Sequence, residues 1–198
     1  MSTAALAPQT VLADRLISRS LTTDIVLVAT GAIVVGALAM VSIPTVPVPI
    51  TGQTLGVLLV GGSLGMRRGA MSMFTYLTAG VAGVPWFSNG AGGPGTLVLP
   101  SFGYIIGFVF AAALIGWLAE RNWDRRPVLS MVAFGLASLV PFLFGLPYLA
   151  VVLGMTDISA ILAAGFTPFI VGGVIKWAIA AAIFPMLWAG VRSLDDRK

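Results

Sequence analysis

Long apolar runs separated by short polar or proline-rich stretches make up most of the chain. A helix that crosses the hydrocarbon core of a bilayer needs about 20 apolar residues. Six runs approach that length, at about residues 24–43, 53–66, 69–84, 101–119, 128–146 and 168–189. The second and third are short, so we expect them to be little tilted or partly buried among the others. The pattern predicts an all-α membrane protein with six transmembrane helices.

Proline, glycine and arginine residues mark the limits of the first three runs. Residues 44–49 contain three prolines, which cannot continue a helix. The pair Arg67-Arg68 ends the second run, and the glycine- and proline-rich residues 88–95 predict a loop after the third. The first helix is therefore followed by an irregular connection, and the third by a flexible one.

The fifth run contains Pro141 and Pro147, which predict a kink or a break in its helix. Residues 148–165 are apolar but are interrupted by Gly154 and Asp157. We expect them to form short pieces at the membrane interface before the last span.

The composition agrees with a membrane location. Hydrophobic residues make up 58% of the 198 residues and charged residues only 9%, and the mean hydropathy is +1.02. A soluble domain carries roughly 25% charged residues, so a soluble enzyme, a nucleic-acid-binding protein and a disordered regulator are excluded. We expect one transmembrane domain over residues 24–190, with a segment of residues 1–23 before it and a tail of residues 191–198 after it.

The basic residues predict the orientation, because cytoplasmic loops carry an excess of Lys and Arg. If the N-terminus is inside, ten basic residues fall on the cytoplasmic side: Arg15, Arg19, Arg67, Arg68, Arg121, Arg125, Arg126, Arg192, Arg197 and Lys198. The predicted outer loops contain none. The net charge of +4 is thereby explained without nucleic acid. The sequence predicts a multi-pass protein of the cell membrane with both termini in the cytoplasm.

The N-terminal 23 residues have no apolar core or small-residue cleavage site typical of a signal peptide. Within them, residues 11–21 mix apolar and charged side chains. Two interpretations stay open, a short amphipathic helix on the membrane surface and a frayed polar tail.

Cysteine and histidine are absent from the chain. This excludes thiol chemistry and the usual zinc and haem ligands, and it removes the commonest general base. We therefore predict no metal site, no cofactor and no catalytic residue. A Walker A sequence is also missing, so ATP hydrolysis by that route would need another polypeptide.

Two glycine motifs have a structural explanation. Gly61-x-Ser63-x-Gly65 matches the pattern of a hydrolase nucleophile, but without histidine only a Ser–Lys pair of Ser63 with Lys176 could serve. Small residues that let membrane helices approach closely are the preferred explanation. The G-x-G-x-x-G pattern of residues 90–95 follows no predicted strand, so we interpret it as a glycine loop over an external cavity and not as a dinucleotide site.

Lys176 is the one charge well inside a predicted span. A lysine at mid-helix costs roughly 2.5–3.5 kcal/mol on insertion scales, and no acidic residue lies well inside any span. Snorkelling to an interface is the alternative. The functional interpretation is an ammonium group that receives an anion, most simply a substrate carboxylate.

Ala32 and Gly36 form a small-residue face in the first span. Such a face either packs within the bundle or docks a partner membrane protein. We take partner docking as the prediction to be tested.

Residues 43–59, Ile43-Pro-Thr-Val-Pro-Val-Pro-Ile-Thr-Gly-Gln-Thr-Leu-Gly-Val-Leu-Leu59, resemble the "PVPITxQTLGVLL" signature of the BioY family. The likeness continues in residues 64–70, 76–77, 80, 83–85, 101–108 and 145–148, and it covers about residues 24–190. BioY proteins are the biotin-binding S components of energy-coupling factor (ECF) vitamin transporters. The resemblance implies a six-helix S-component fold with a biotin site near the outer face. It also implies a membrane T component and two ATPase subunits as partners, and leaves open transport without them.

Some binding residues carry over from the resemblance. Lys176 matches the family's lysine in the sixth span, Asn89 is similar to a polar contact position, and Tyr104 falls in a segment that lines the pocket. The family usually has an aspartate three residues before the lysine, where this chain has Gly173. Asp157 is the one acid expected outside, but it lies in a different segment.

These residues together predict substrate capture from outside the membrane. Gln53, Thr54, Ser88 and Asn89 would bind the urea group of biotin, and Lys176 its carboxylate. Trp86, Phe87 and Tyr104 would cover the rings. Three alternatives remain: an S component for another small anionic vitamin, an intramembrane hydrolase using Ser63 and Lys176, and a scaffold without ligand.

Overall fold

The computed structural model describes residues 11–195, with side chains as far as residue 193. The helices in this range are α1 (Leu12–Leu16), α2 (Leu21–Met40), α3 (Gln53–Val81), α4 (Phe102–Glu120), α5 (Pro127–Leu153), α6 (Ile158–Gly165) and α7 (Ile170–Asp195). Strands β1 (Ser42–Ile43) and β2 (Ile50–Thr51) pair antiparallel in a hairpin between α2 and α3. Residues 1–10 and 196–198 of the predicted terminal segments lie outside the described residues.

Four helical stretches in the described range are long and apolar enough to cross a membrane. They are α2, α4, α5 and residues 158–193, which include α6 and α7. This confirms the prediction of a helical integral membrane protein. The second predicted span and most of the third fall within α3, which ends at Val81.

Helix α3 is a helical hairpin that reverses at Gly65. This glycine has φ +85°, a left-handed conformation that L side chains rarely adopt. Its two arms lie antiparallel and close together. A Cβ on Gly69 would lie 2.9 Å from the Gly61 Cα, and the Gln53 amide reaches the Tyr76 hydroxyl at 2.7 Å.

The predicted boundary between the second and third spans is therefore wrong by two residues. Arg67 and Arg68 do not form the break but belong to the first turn of the second arm. That arm begins at Met66, whose backbone N–H donates to Glu120 Oε1 at 2.9 Å. A carboxylate at a helix N-terminus compensates one of the unsatisfied backbone donors there.

Helix α4 packs against both arms of α3. At Gly61 an added Cβ would lie 2.7 Å from the Ala112 carbonyl oxygen, and at Gly116 it would collide with the backbone of Gly65 and Met66. The small residues of the Gly61-x-Ser63-x-Gly65 motif thus let two backbones approach, as the packing interpretation predicted.

The predicted break in the fifth span is wrong. Helix α5 continues through Pro141 and Pro147 to Leu153, so residues 148–153 are part of it and not interfacial pieces. Prolines are tolerated in membrane helices when neighbouring elements pack closely enough to satisfy the freed backbone groups. Gly107 of α4 provides such a contact, because a Cβ there would lie 2.6 Å from the Pro141 Cα.

Helix α1 lies against the hairpin turn of α3 and is therefore not a frayed tail, whereas Leu16 and Ile17 are exposed and the interpretation as a membrane-surface helix stays open. Val11, Leu12 and Ala13 are buried. Asp14 accepts hydrogen bonds from Arg19 at 2.9 Å and Arg68 at 2.6 Å. Burial alone would raise the pKa of Asp14, but the two arginines outweigh it and lower the pKa.

The contacts of α1 and those around Gly65 lie at one end of the bundle, which we call the Gly65 end. The opposite end, with β1 and β2, is the hairpin end. All eight arginines of the described residues gather at the Gly65 end: Arg15, Arg19, Arg67, Arg68, Arg121, Arg125, Arg126 and Arg192. This distribution agrees with the one used to predict the orientation.

Candidate ligand-binding site

A cavity of about 700 Å³ lies towards the hairpin end. Its walls come from residues 47–54, the loop of residues 87–101, α4, α5 and the first turns of α7. Seven of the eight predicted substrate-binding residues line it: Gln53, Thr54, Phe87, Ser88, Asn89, Tyr104 and Lys176. Residues from four separate segments of the sequence are thus brought to one chamber.

Lys176 provides the only charged group among the described residues that line the cavity. Its Nζ donates to the Thr51 backbone oxygen at 2.5 Å and to Thr54 Oγ1 at 3.2 Å. An ammonium group has three donors, and the described residues accept two of them. The remaining donor and the positive charge suit an anionic group of a ligand.

Gln53 is held by a chain of hydrogen bonds. The Thr51 hydroxyl donates to Gln53 Oε1 at 2.7 Å, and Gln53 Nε2 donates to the Tyr76 hydroxyl at 2.7 Å. The Tyr76 hydroxyl donates in turn to the Trp86 backbone oxygen at 3.0 Å. These bonds fix the orientation of the buried amide and leave one N–H of Nε2 for a ligand.

Ser88 and Asn89 lie in the loop over the cavity. Ser88 Oγ is buried and has no hydrogen-bond partner among the described residues. Asn89 has a left-handed backbone with φ 60°, and its Oδ1 accepts from Ser42 Oγ at 3.2 Å. The bond between Asn89 and Ser42 joins this loop to β1. The Ser88 hydroxyl can bind a polar group of a ligand.

Aromatic rings form much of the apolar wall. The Tyr104 hydroxyl donates to the Gly165 backbone oxygen at 2.7 Å, so its ring and not its hydroxyl is offered to a ligand. Phe142 packs edge-on against this ring at 5.7 Å between centroids, and Phe169 lies 6.0 Å away.

Sequence reasoning missed Phe142, Phe169 and Phe166, which also line the cavity. Apolar segments contain many such residues, so only the tertiary contacts single these out. It also missed Thr51, although Thr51 belongs to the same motif as Gln53 and Thr54.

Trp86 does not line the cavity. Its indole N–H donates to the Tyr76 backbone oxygen at 2.9 Å, and its side chain packs against α2, where a Cβ on Gly36 would lie 3.2 Å from the Trp86 Cβ. The predicted cover over the ligand rings is therefore not supported for Trp86.

The same contacts correct the prediction for Ala32 and Gly36. Both are buried within the chain, with Gly36 making room for Trp86. Their face is used for packing inside the bundle and is not open to a partner.

Ser63 and Lys176 are not brought together. Lys176 contacts Thr54, and Ser63 lies nine residues further along the same arm of α3, about 14 Å by helical rise. The hydrolase alternative therefore loses its only candidate pair.

Among the residues that the structure describes, no acidic side chain takes the place of the carboxylate that is missing at Gly173. Gly173 lines the cavity, and a Cβ there would meet nothing within 4 Å. Asp157 instead caps α6, accepting from the backbone N–H of Ser159 at 3.0 Å and of Ala160 at 3.3 Å. Among the described residues, the space beside Lys176 is bordered by no carboxylate.

Comparison with known proteins gives a consistent result. The model of the BioY family matches residues 8–193. The chain belongs to the BioY family. A "Biotin transporter BioY" of Rhizobium etli is 36% identical over 186 residues, which cover 89% of this chain and 98% of that protein. A "Biotin transporter BioY" of Thermotoga maritima is 37% identical, covering 78% and 88% of the two chains.

A solved structure has the same fold. The crystal structure of the S-component for biotin from an ECF-type ABC transporter matches with a TM-score of 0.71, covering 85% of this chain and 92% of that one. Its sequence identity is 23%, so this match concerns the fold.

Proposed function

We propose that this chain is a biotin uptake protein, a membrane-embedded S component that captures biotin from outside and delivers it inward. The observation that carries the proposal is Lys176, the one charged group among the described residues that line the cavity. The names of the BioY relatives support biotin as the ligand.

The chemistry of biotin fits the cavity. Biotin has an apolar fused ring system, a urea group and a carboxylate on a short chain. Lys176 would pair with the carboxylate, and a charge-assisted hydrogen bond in a poorly hydrated site is strong. Ser88 Oγ, Asn89 and the free N–H of Gln53 would bind the urea. Phe87 and Tyr104 would cover the rings.

The membrane arrangement completes the proposal. The two arms of α3 would act as two of six crossings, with α2, α4, α5 and α7 as the others. The arginines at the Gly65 end support a cytoplasmic location for that end and for both termini. The cavity would then lie towards the outer face.

The energy would come from partners. The chain has no Walker A sequence, so a membrane T component and two ATPase subunits would drive release of the ligand inward. Binding itself then requires no nucleotide.

A ligand titration tests the function. Purified protein in nanodiscs is titrated calorimetrically, without nucleotide, against biotin, pantothenate, lipoate and nicotinate. We expect binding to biotin and to none of the others. Binding to another anionic vitamin in place of biotin would identify an S component of different specificity, and binding to none would contradict the proposal.

A further inference from the structure

Helices α5 and α7 touch towards the Gly65 end and separate beyond it. The Ser130 hydroxyl donates to the Ala181 backbone oxygen at 2.8 Å, and the Trp177 indole N–H donates to the Met131 backbone oxygen at 2.6 Å. Further towards the hairpin end, a Cβ on Gly173 would find no neighbouring atom within 4 Å. A gap therefore opens between the two helices on the hairpin-end side of Trp177.

The residues on both sides of this gap line the cavity and also lie on the outer surface. Val132, Leu136 and Leu139 follow one face of α5 at helical spacing and are 45%, 50% and 51% exposed. Val174, on the α7 side, is 47% exposed. Because one set of side chains borders both spaces, the cavity continues sideways to the surface of the bundle.

The chemistry of this opening matches lipid chains. Its rim is aliphatic, and α5 and α7 are both apolar enough to lie in a bilayer. Water in the gap would meet apolar walls with few hydrogen-bonding partners, whereas an acyl chain would make dispersion contacts along them. From Val132 to Leu139 the rim extends about 10 Å along the helix, enough for several methylene groups.

We propose that the cavity opens into the bilayer between α5 and α7, and that an acyl chain of a surrounding phospholipid occupies it in competition with the ligand. The opening rests on the gap between the two helices and on the membrane location, and the competition rests in addition on the proposed function. Ligand affinity would then depend on the acyl chains of the bilayer as well as on the polar contacts at Lys176.

Photo-crosslinking in nanodiscs tests the proposal on the full chain. The probe is phosphatidylcholine with a diazirine near the end of one acyl chain, and the adducts are located by mass spectrometry. Phe108 on α4 lines the far wall of the cavity and is 4% exposed, whereas Phe134 is buried and does not line it. Ile33 on α2 is 60% exposed on the outside of the bundle and reports labelling from ordinary lipid.

We expect adducts at Phe108 and Ile33 but not at Phe134. Saturating biotin should reduce the Phe108 adducts at least tenfold and leave those at Ile33 unchanged. If Phe108 is labelled no more than Phe134, the proposal that the cavity opens into the bilayer is overturned. Persistent Phe108 labelling with biotin bound, as measured separately by titration, would overturn the competition.

A pair of variants checks the route of entry. Gly173→Leu places a side chain in the gap, whereas Gly190→Leu adds one in open space further along the same helix, away from the cavity. We expect Phe108 adducts to fall several-fold in the first variant and not in the second. An equal yield in both would contradict entry between α5 and α7. If biotin does not bind in the titration, Phe108 labelling still supports the opening while the proposed function fails.

Discussion

Lys176, which is partly buried, and Asp124, which is fully buried, have different surroundings in this protein. Lys176 in α7 is stabilised by a carbonyl and a hydroxyl oxygen at the hairpin end. Asp124, in the short link between α4 and α5 at the Gly65 end, is fully buried and accepts from the Trp188 indole N–H at 2.5 Å. Burial raises the pKa of Asp124 to about 6, against the lowering effects of Trp188 and the neighbouring Arg125.

This raised pKa predicts a pH dependence of stability. Because the folded state holds the Asp124 proton more tightly than the unfolded state, the free energy of unfolding falls as pH rises from about 4 to about 6. Between pH 5 and pH 8 the loss is on the order of 1 kcal/mol. Asp124→Asn keeps an acceptor for Trp188 but cannot titrate, so its melting temperature in detergent should fall less than that of the wild type over this range. Equal falls would show that Asp124 does not titrate there.

At the level of elements, the reversal of α3 depends on Gly65. Its positive φ turns the chain, and a Cβ there would lie 2.8 Å from Glu120 Oε1 and 3.3 Å from a methyl carbon of Val11, so the Glu120 side chain would have to move. The sequence predicted two short spans here but placed the break at the arginine pair. The chain has 24 glycines, and the sequence alone does not show which of them has a positive φ.

Gly65→Ala is expected to destabilise the protein. At φ +85° and ψ 178° the backbone of Gly65 is in a region that glycine alone adopts readily, and an L residue there costs roughly 1–3 kcal/mol. The close approach to Glu120 adds to this cost. Gly190→Ala is the matched control, because Gly190 lies in α7 with nothing within 4 Å of an added Cβ. Thermal unfolding followed by circular dichroism should show a clear decrease for the first variant and none for the second. A similar stability of both would show that the turn does not depend on Gly65.

For the whole molecule, hydrophobic run length was the informative feature. It predicted a helical membrane protein and the proline-rich interruption at residues 44–49, because both follow from the local demands of bilayer and backbone. It did not predict the uninterrupted α5, since whether a helix tolerates Pro141 depends on packing by Gly107.

The candidate site was predictable to a similar degree. Polar residues in an apolar sequence, such as Lys176 and Gln53, stand out and do line the cavity. Trp86 was assigned to the cavity but does not line it, and Phe142 lines the cavity but was missed. An aromatic residue in an apolar chain can face either a cavity or a neighbouring helix, and only tertiary contacts distinguish the two.

The orientation of the molecule can be measured because the chain has no cysteine of its own. Gly95→Cys lies in the exposed loop by the cavity, and Ser193→Cys lies on the exposed end of α7. In intact cells, a membrane-impermeant maleimide should label the first and should label the second only after permeabilisation. Labelling of both from outside would contradict cytoplasmic termini.

The central claim is that Lys176 binds the carboxylate of biotin, and the most direct measurement compares biotin with its uncharged methyl ester. Losing a buried charge-assisted pair costs roughly 2–5 kcal/mol, so wild type should bind the ester about 30-fold or more weakly than biotin. Lys176→Met keeps an apolar stem without the charge, and should bind biotin and ester with similar, weakened affinity. Equal binding of both ligands by wild type would contradict the account, because Lys176 would then recognise something other than the carboxylate.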